Sequence, residues 1–264
     1  MRYGVLSDIH GNRHALDAAL GVLEEHGVDG YICAGDLVGY GPSPNECVAR
    51  VVGLGAVCVA GNHDLMAVGR ASPQGISGLA RDSLEWTSGI LRDHARDYLS
   101  GLPETALVGD GIVVGHGSLN DPAKYVLSAR DARHELDQLQ QVYPSAETLI
   151  LGHTHLPFLY DQLAGRLGME AGTPLALRGY RRRLLNPGSV GQSRERSPWD
   201  RFMLLDLETE EVTAFAIPYD VDGCRRDLVR KGRPPGSCHL PPASPARRAV
   251  RKLRRLTGTS SKGV

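Results

Sequence analysis

The feature that most restricts this chain is a repeated order in its first sixty residues, in which short apolar runs alternate with helical patterns. Tyr3 to Leu6, Gly30 to Ala34 and Ala56 to Ala60 read as strands, and each run stops at a small or polar residue. Between the first two, Asn12 suits a helix N-cap, Leu16, Ala19, Leu20 and Leu23 share one face, and Gly27 ends the helix. Ser43 to Val52 supplies the second helix. Strands separated by helices pair in parallel through right-handed crossovers, so the chain is expected to be α/β with helices laid on a sheet.

The pattern then changes. Ile76 to Leu102 has helical spacing and ends at Pro103, which predicts a helical insertion over about 72–103 beside the sheet. Thr105 to Val108 and Gly111 to Val114 are joined by a Gly-Asp-Gly turn suited to a hairpin. A helix from Ala129 to Val142 leads into the strand Thr148 to Leu151. Beyond His155 the sequence is β-rich, with Phe158 to Tyr160, Pro174 to Leu177, Phe202 to Leu207 and Glu211 to Ile217, so a second sheet is expected to pack on the first. One domain is expected over 1–222. Residues 223–264 read as a basic, Pro/Arg-rich disordered tail, in which Ala246 to Leu256 could form one short basic helix.

Acidic and basic residues balance at 30 each, so net charge gives no reason to expect a nucleic-acid or membrane partner. No apolar run approaches the roughly 20 residues that span a bilayer. The five cysteines include no CxxC spacing, and Cys33 and Cys58 lie in apolar strands. That usage suits a reducing compartment, and with no apolar leader at the N-terminus the cytoplasm is the expected location.

Five short motifs stand where apolar strands end: Asp8-Ile-His10, Gly35-Asp36-Leu-Val-Gly39, Gly61-Asn62-His63-Asp64, Gly115-His116-Gly117 and Gly152-His153-Thr-His155. In an α/β sheet, residues just past the carboxyl ends of parallel strands converge on one crevice. Burying five polar clusters together is costly without compensation, and a metal centre would supply it. The donors are carboxylates, imidazoles and one amide, with no thiolate, which suits first-row metals and argues against structural zinc. Each motif alone is weak. Together and in order they are not a chance occurrence.

These five motifs resemble those of calcineurin-like metallophosphoesterases, over about Met1 to Ile217. The segment from His116 to Tyr125 and the later Asn186-Pro-Gly-Ser-Val-Gly191 are similar to a branch of small bacterial and archaeal phosphodiesterases. The resemblance implies a four-layer α/β/β/α sandwich of two packed mixed sheets flanked by helices. It implies two divalent or trivalent metal ions, drawn from Mn, Fe, Zn and Ni with manganese or iron favoured. Asp8, His10 and His155 would hold one ion, Asn62, His116 and His153 the other, and Asp36 would bridge them. A metal-activated hydroxide would attack the phosphorus of a small-molecule or nucleotide ester, as diesterase or monoesterase. His63 would protonate the leaving oxygen, with Asp64 orienting or supporting it.

Protein phosphatases and symmetrical dinucleoside tetraphosphatases carry an Asp-Arg-Gly or Asn-Arg-Gly after the Gly-Asp motif; here Gly39-Tyr40-Gly41 stands instead, which makes those two activities less expected. Tyr40, Tyr125 and Arg194 are candidates for pocket walls, although packing is the more ordinary role for Tyr125. Asn186 and Ser189 are read as a loop near the site, and the five remaining histidines as solvated. Two alternatives come from other classes: a nuclease that holds nucleic acid through the basic tail, and a metal-bound scaffold without turnover.

Overall fold

A computed structural model of the chain describes residues 1–177, 179 and 182–241. The basic helix expected within 246–256 lies outside the described residues. The N-terminal alternation is realised as β1 (Arg2–Leu6), α1 (Arg13–Glu25), β2 (Gly30–Cys33), α2 (Pro44–Gly53), β3 (Val57–Cys58) and α3 (Asn62–Ala67). The expected insertion is two helices, α4 (Gly78–Ile90) and α5 (Asp93–Gly101), because Leu91 and Arg92 are extended between them. Next come the hairpin β4 (Ala106–Val108) and β5 (Ile112–Val114), then α6 (Ala129–Val142) and β6 (Thr148–Ile150). The β-rich part contains β7 (Phe158–Asp161), β8 (Gly165–Leu167), β9 (Pro174–Ala176), β10 (Arg183–Asn186), β11 (Asp200–Asp206) and β12 (Glu211–Ile217), followed by α7 (Val221–Arg230).

Two mixed sheets of six strands result, ordered β3-β2-β1-β11-β12-β9 and β4-β5-β6-β10-β7-β8. The pleat sorts side chains between layers, since successive residues point to opposite faces. Val5, Ile32, Met203, Ile150 and Leu185 meet between the sheets. Their neighbours Leu6, Cys33 and Phe202 face α1 and α2, while Leu149 and Leu184 face α6. This is the expected four-layer sandwich. β1, β2 and β3 run parallel, as do β5, β6 and β10, so two sets of carboxyl ends open toward one edge of the sandwich.

The expected tail needs correction. Residues 223–241 belong to the folded body: α7 buries Cys224 and Leu228 against Cys238, which ends the short helical turn Pro235–Cys238. His14 is likewise not merely solvated, because its Nε2 lies 2.9 Å from Asp227 Oδ2 and ties α1 to α7. Among the described residues, no helix is long and apolar enough to cross a membrane.

Candidate metal centre

All five motifs arrive at the same place. Asp8 and His10 follow β1, Asp36 follows β2, Asn62 and His63 begin α3 just after β3, His116 follows β5, and His153 and His155 follow β6. Gly61 allows the close approach: a Cβ there would overlap the Asp36 backbone nitrogen and carboxylate. Asp8, His10, Asp36, Tyr40, His153 and His155 all hold left-handed backbone, with φ between 49° and 66°. Such a conformation costs an L-residue roughly 1–2 kcal/mol. Only Glu210 shares it among the other described non-glycine residues.

Each carboxylate is half satisfied. Asp8 Oδ2 accepts from Ser7 Oγ (2.7 Å) and His153 N (3.0 Å), whereas Asp8 Oδ1 has no hydrogen-bond partner and lies 3.2 Å from His155 Nε2. Asp36 Oδ1 accepts from His63 N at 2.8 Å. Asp36 Oδ2 is unpartnered, 3.3 Å from His116 Nε2 and 3.6 Å from His10 Nε2.

The imidazoles are oriented by backbone carbonyls. His10 Nδ1 faces Val38 O (3.1 Å), His116 Nδ1 faces Ala34 O (2.6 Å) and His155 Nδ1 faces Gln192 O (2.6 Å). Assigned from those partners, each Nδ1 carries the proton and each Nε2 presents a lone pair. His153 is turned round, since its Nε2 faces Ala123 O at 3.0 Å and leaves Nδ1 inward. Lone pairs then confront lone pairs: His10 Nε2 is 3.2 Å from His155 Nε2, and His116 Nε2 is 3.2 Å from Asn62 Oδ1. Facing acceptors at that distance repel unless a cation lies between them, so the residues fit a metal. Ligand atoms within 4.8 Å of one another form three sets: Asp8, His10 and His155; His10, Asp36 and His63; Asp36, His116 and His153.

Electrostatics agree. Burial would raise Asp8 and Asp36, but His155 and His116 respectively hold them below the usual carboxylate range. Burial pushes His10 down against the pull of Asp36, and pushes His153 to about 4 with help from His116. His116 goes the other way. Burial opposes its charge, yet Asp36 and Asp8 raise it to about 10, which marks where the buried anionic charge calls for a positive one.

His63 has its Nδ1 buried without a partner, its ring lying edge-on to His10 at 4.8 Å. Burial lowers it, with Asp36 opposing. Asp64 Oδ1 accepts from Val38 N (3.1 Å) and its Oδ2 from Gly61 N (3.0 Å), so it ties together the loops that carry Asp36 and His63. Adjacent residues on a helix point in different directions, so any support it gives the His63 ring is through the backbone or its charge. Burial, then Asp36, raises Asp64 to about 7.

Ser189 Oγ donates to Asp8 O, and Asn186 Nδ2 to Gly152 O, so the read loop braces the ligand loops from behind. The carbonyls of Ala34, Val38 and Gln192 had no mark in the sequence, because main-chain acceptors carry none. A cleft of about 650 Å³ opens beside Asp36, Asn62, His63 and His153, walled by Tyr40, Tyr125, Arg194 and residues from Ala71 to Ala80. Tyr125 is 45% exposed, which makes it cleft wall and not packed core.

Residues 1–210 match the model of the calcineurin-like phosphoesterase superfamily domain. A metallophosphoesterase from Sphaerobacter thermophilus superposes with a TM-score of 0.76 at 31% identity, covering 90% of this chain and 97% of its own. A hypothetical protein from Pyrococcus horikoshii shares the fold, with a TM-score of 0.74, 22% identity, and coverage of 90% and 96%. An uncharacterized protein of Methanocaldococcus jannaschii is 28% identical over 235 residues, 87% of this chain and 93% of the relative. The chain belongs to the calcineurin-like phosphoesterase superfamily and is a hydrolase of the metal-dependent phosphoesterase type.

Proposed function

We propose that this chain hydrolyses a small phosphorylated substrate, a phosphodiester or phosphomonoester, at a centre of two metal ions. The observation that carries the reading is Asp36 Oδ2, an unpartnered buried carboxylate oxygen 3.6 Å from His10 Nε2 and 3.3 Å from His116 Nε2. One oxygen between two imidazole sets is the arrangement of a bridging ligand. In this reading Asp8, His10 and His155 would hold one ion, Asn62, His116 and His153 the other, and Asp36 would be shared by both. The all-N/O donor set accepts manganese, iron, zinc or nickel, and manganese or iron is favoured by the family resemblance. Bound there, the ions would polarise phosphoryl oxygens and make water acidic enough to act at neutral pH.

The chain's own residues do the rest. Asp8 and Asp36 each keep one oxygen anchored while presenting the other, which fixes the direction of the charge. His63 lines the cleft and is the proton donor for the leaving oxygen. Burial lowers its proton affinity, with Asp36 opposing, and the negative charge of an arriving phosphate would raise it. A cytoplasmic location belongs to the same reading, supported by five free, buried cysteines.

The test uses metal-stripped protein reloaded with manganese, beside Asp36→Ala and His63→Ala. Both p-nitrophenyl phosphate and its bis ester are assayed. Manganese-dependent turnover lost in Asp36→Ala supports the centre, and the preferred compound tells diester from monoester. His63→Ala should lose far more on an alkyl phosphate than on p-nitrophenyl phosphate, because nitrophenolate leaves without a proton. No turnover with any metal, despite tightly bound ions, would remove the hydrolytic reading.

A further inference from the structure

The motif region brings many imidazoles and carboxylates to the cleft but no fixed positive side chain. The stretch Gly39-Tyr40-Gly41 carries no arginine. A cation reaches the cleft from a different loop. Arg194 lines it together with Tyr40, Tyr125, His63 and His153.

Three observations bear on this guanidinium. First, its charge is not neutralised: among the described residues its one hydrogen bond runs from Nη1 to Tyr125 Oη at 3.3 Å, and no carboxylate pairs with it. Arg201, close by, is instead neutralised by Glu195 through two bonds of 2.6 and 2.9 Å. Second, its loop is locked to the metal centre. Gln192 O accepts from His155 Nδ1, Gln192 N donates to Ser189 Oγ, and Ser193 O accepts from Leu240 N. Third, its partner belongs to the cleft as well. The Tyr125 ring lies 4.0 Å from the His153 ring, tilted by 32°, so one phenol touches a candidate ligand and steadies the guanidinium. The charge also reaches Tyr40, whose hydroxyl is pushed up by burial while Arg194 pulls it down.

We propose that Arg194 is the residue that grips the phosphoryl group, and that Tyr125 is the positioning residue that keeps its guanidinium facing the cleft. The proposal rests on the phosphoesterase reading given above. A planar guanidinium fork matches two phosphate oxygens at once, and an unpaired one already fixed in a cleft loses little freedom on binding. Lysine would supply the charge without the fork.

The experiment compares wild type, Arg194→Ala, Arg194→Lys and Tyr125→Phe as full-length, manganese-loaded proteins. Bound manganese is counted, inorganic phosphate affinity is measured by calorimetry, and kcat and KM are measured on p-nitrophenyl phosphate. Manganese content should stay constant throughout. Arg194→Ala should weaken phosphate binding by about 10- to 100-fold, the scale of a lost charge-assisted pair. Arg194→Lys should recover part of that loss, and Tyr125→Phe should raise KM a few-fold with kcat nearly kept. Unchanged phosphate affinity in Arg194→Ala, with wild-type turnover intact, overturns the proposal alone. Wild type that binds manganese but neither phosphate nor p-nitrophenyl phosphate overturns the phosphoesterase reading and this proposal with it.

Discussion

Replacing Gly61 with alanine adds one methyl group where the structure has no room for it. An ideal Cβ would overlap the Asp36 nitrogen and Oδ1, and would come within 2.7 Å of Asp36 Cγ. The backbone at Gly61 has φ −86° and ψ 170°, which any residue adopts, so the effect is purely steric. Restoring ordinary carbon–carbon separation requires a displacement on the order of 1 Å. The Asp36 backbone must move and carry its carboxylate with it, whose Oδ1 holds His63 N and whose Oδ2 points between His10 and His116. Overpacking of this kind costs about 1–3 kcal/mol, and in a chain of this size that lowers Tm by about 2–12 °C. A misplacement of about 1 Å at a reacting centre costs about 100-fold in rate. Thermal melting by circular dichroism and manganese-dependent hydrolysis of p-nitrophenyl phosphate would measure the two effects. Gly61→Ala with activity within about twofold of wild type and unchanged Tm would refute the reasoning, since the Asp36 position would then not be set by this contact.

Three other perturbations are informative. Chelation followed by desalting should abolish hydrolysis and lower Tm, and manganese should restore both, because ion binding at about 100 times Kd is worth about 2.7 kcal/mol; a Tm indifferent to millimolar manganese would count against the centre. Asp200 is fully buried with both carboxylate oxygens unpartnered, and burial raises it well above the carboxylate range. The folded protein therefore holds this proton more tightly than the unfolded chain, and stability falls as pH rises from about 4 toward the folded pKa. Asparagine has no proton to lose, so the Tm gain of Asp200→Asn over wild type should widen between about pH 5 and pH 8, and a constant gap would refute the assignment. Leu228→Ala should cost about 2–5 kcal/mol in urea unfolding if α7 is part of the body, and a loss below about 0.5 kcal/mol would return α7 to the status of a tail.

What could be read in advance followed from strong periodicity. β1 and β2 announce themselves as short apolar runs, and α1 by apolar residues on one face behind the cap residue Asn12. The motif residues stood out because five such clusters follow strands in order, although each alone is weak. α7 was missed for the opposite reason: Cys224 and Leu228 are its only buried side chains beyond Gly223, and charged residues fill the rest. β10 was missed because Leu184 and Leu185 alone carry its apolar character before Asn186. The hydrogen bonds of Asp64 to Val38 N and Gly61 N could not be read from the sequence, because main-chain donors carry no mark in it. Arg194 could be named but not given a task, since only the fold shows that Glu195 spends itself on Arg201.

The left-handed backbone at Asp8, His10, Asp36, Tyr40, His153 and His155 also sets main-chain preference against the needs of the site. Glycine would occupy each position without the roughly 1–2 kcal/mol that an L-residue gives up there. Glycine's greater freedom in the unfolded chain offsets part of that gain. At the five aspartate and histidine positions the side chain that the chemistry needs and the residue that the backbone prefers are therefore different, and relieving the strain by glycine would remove a donor each time.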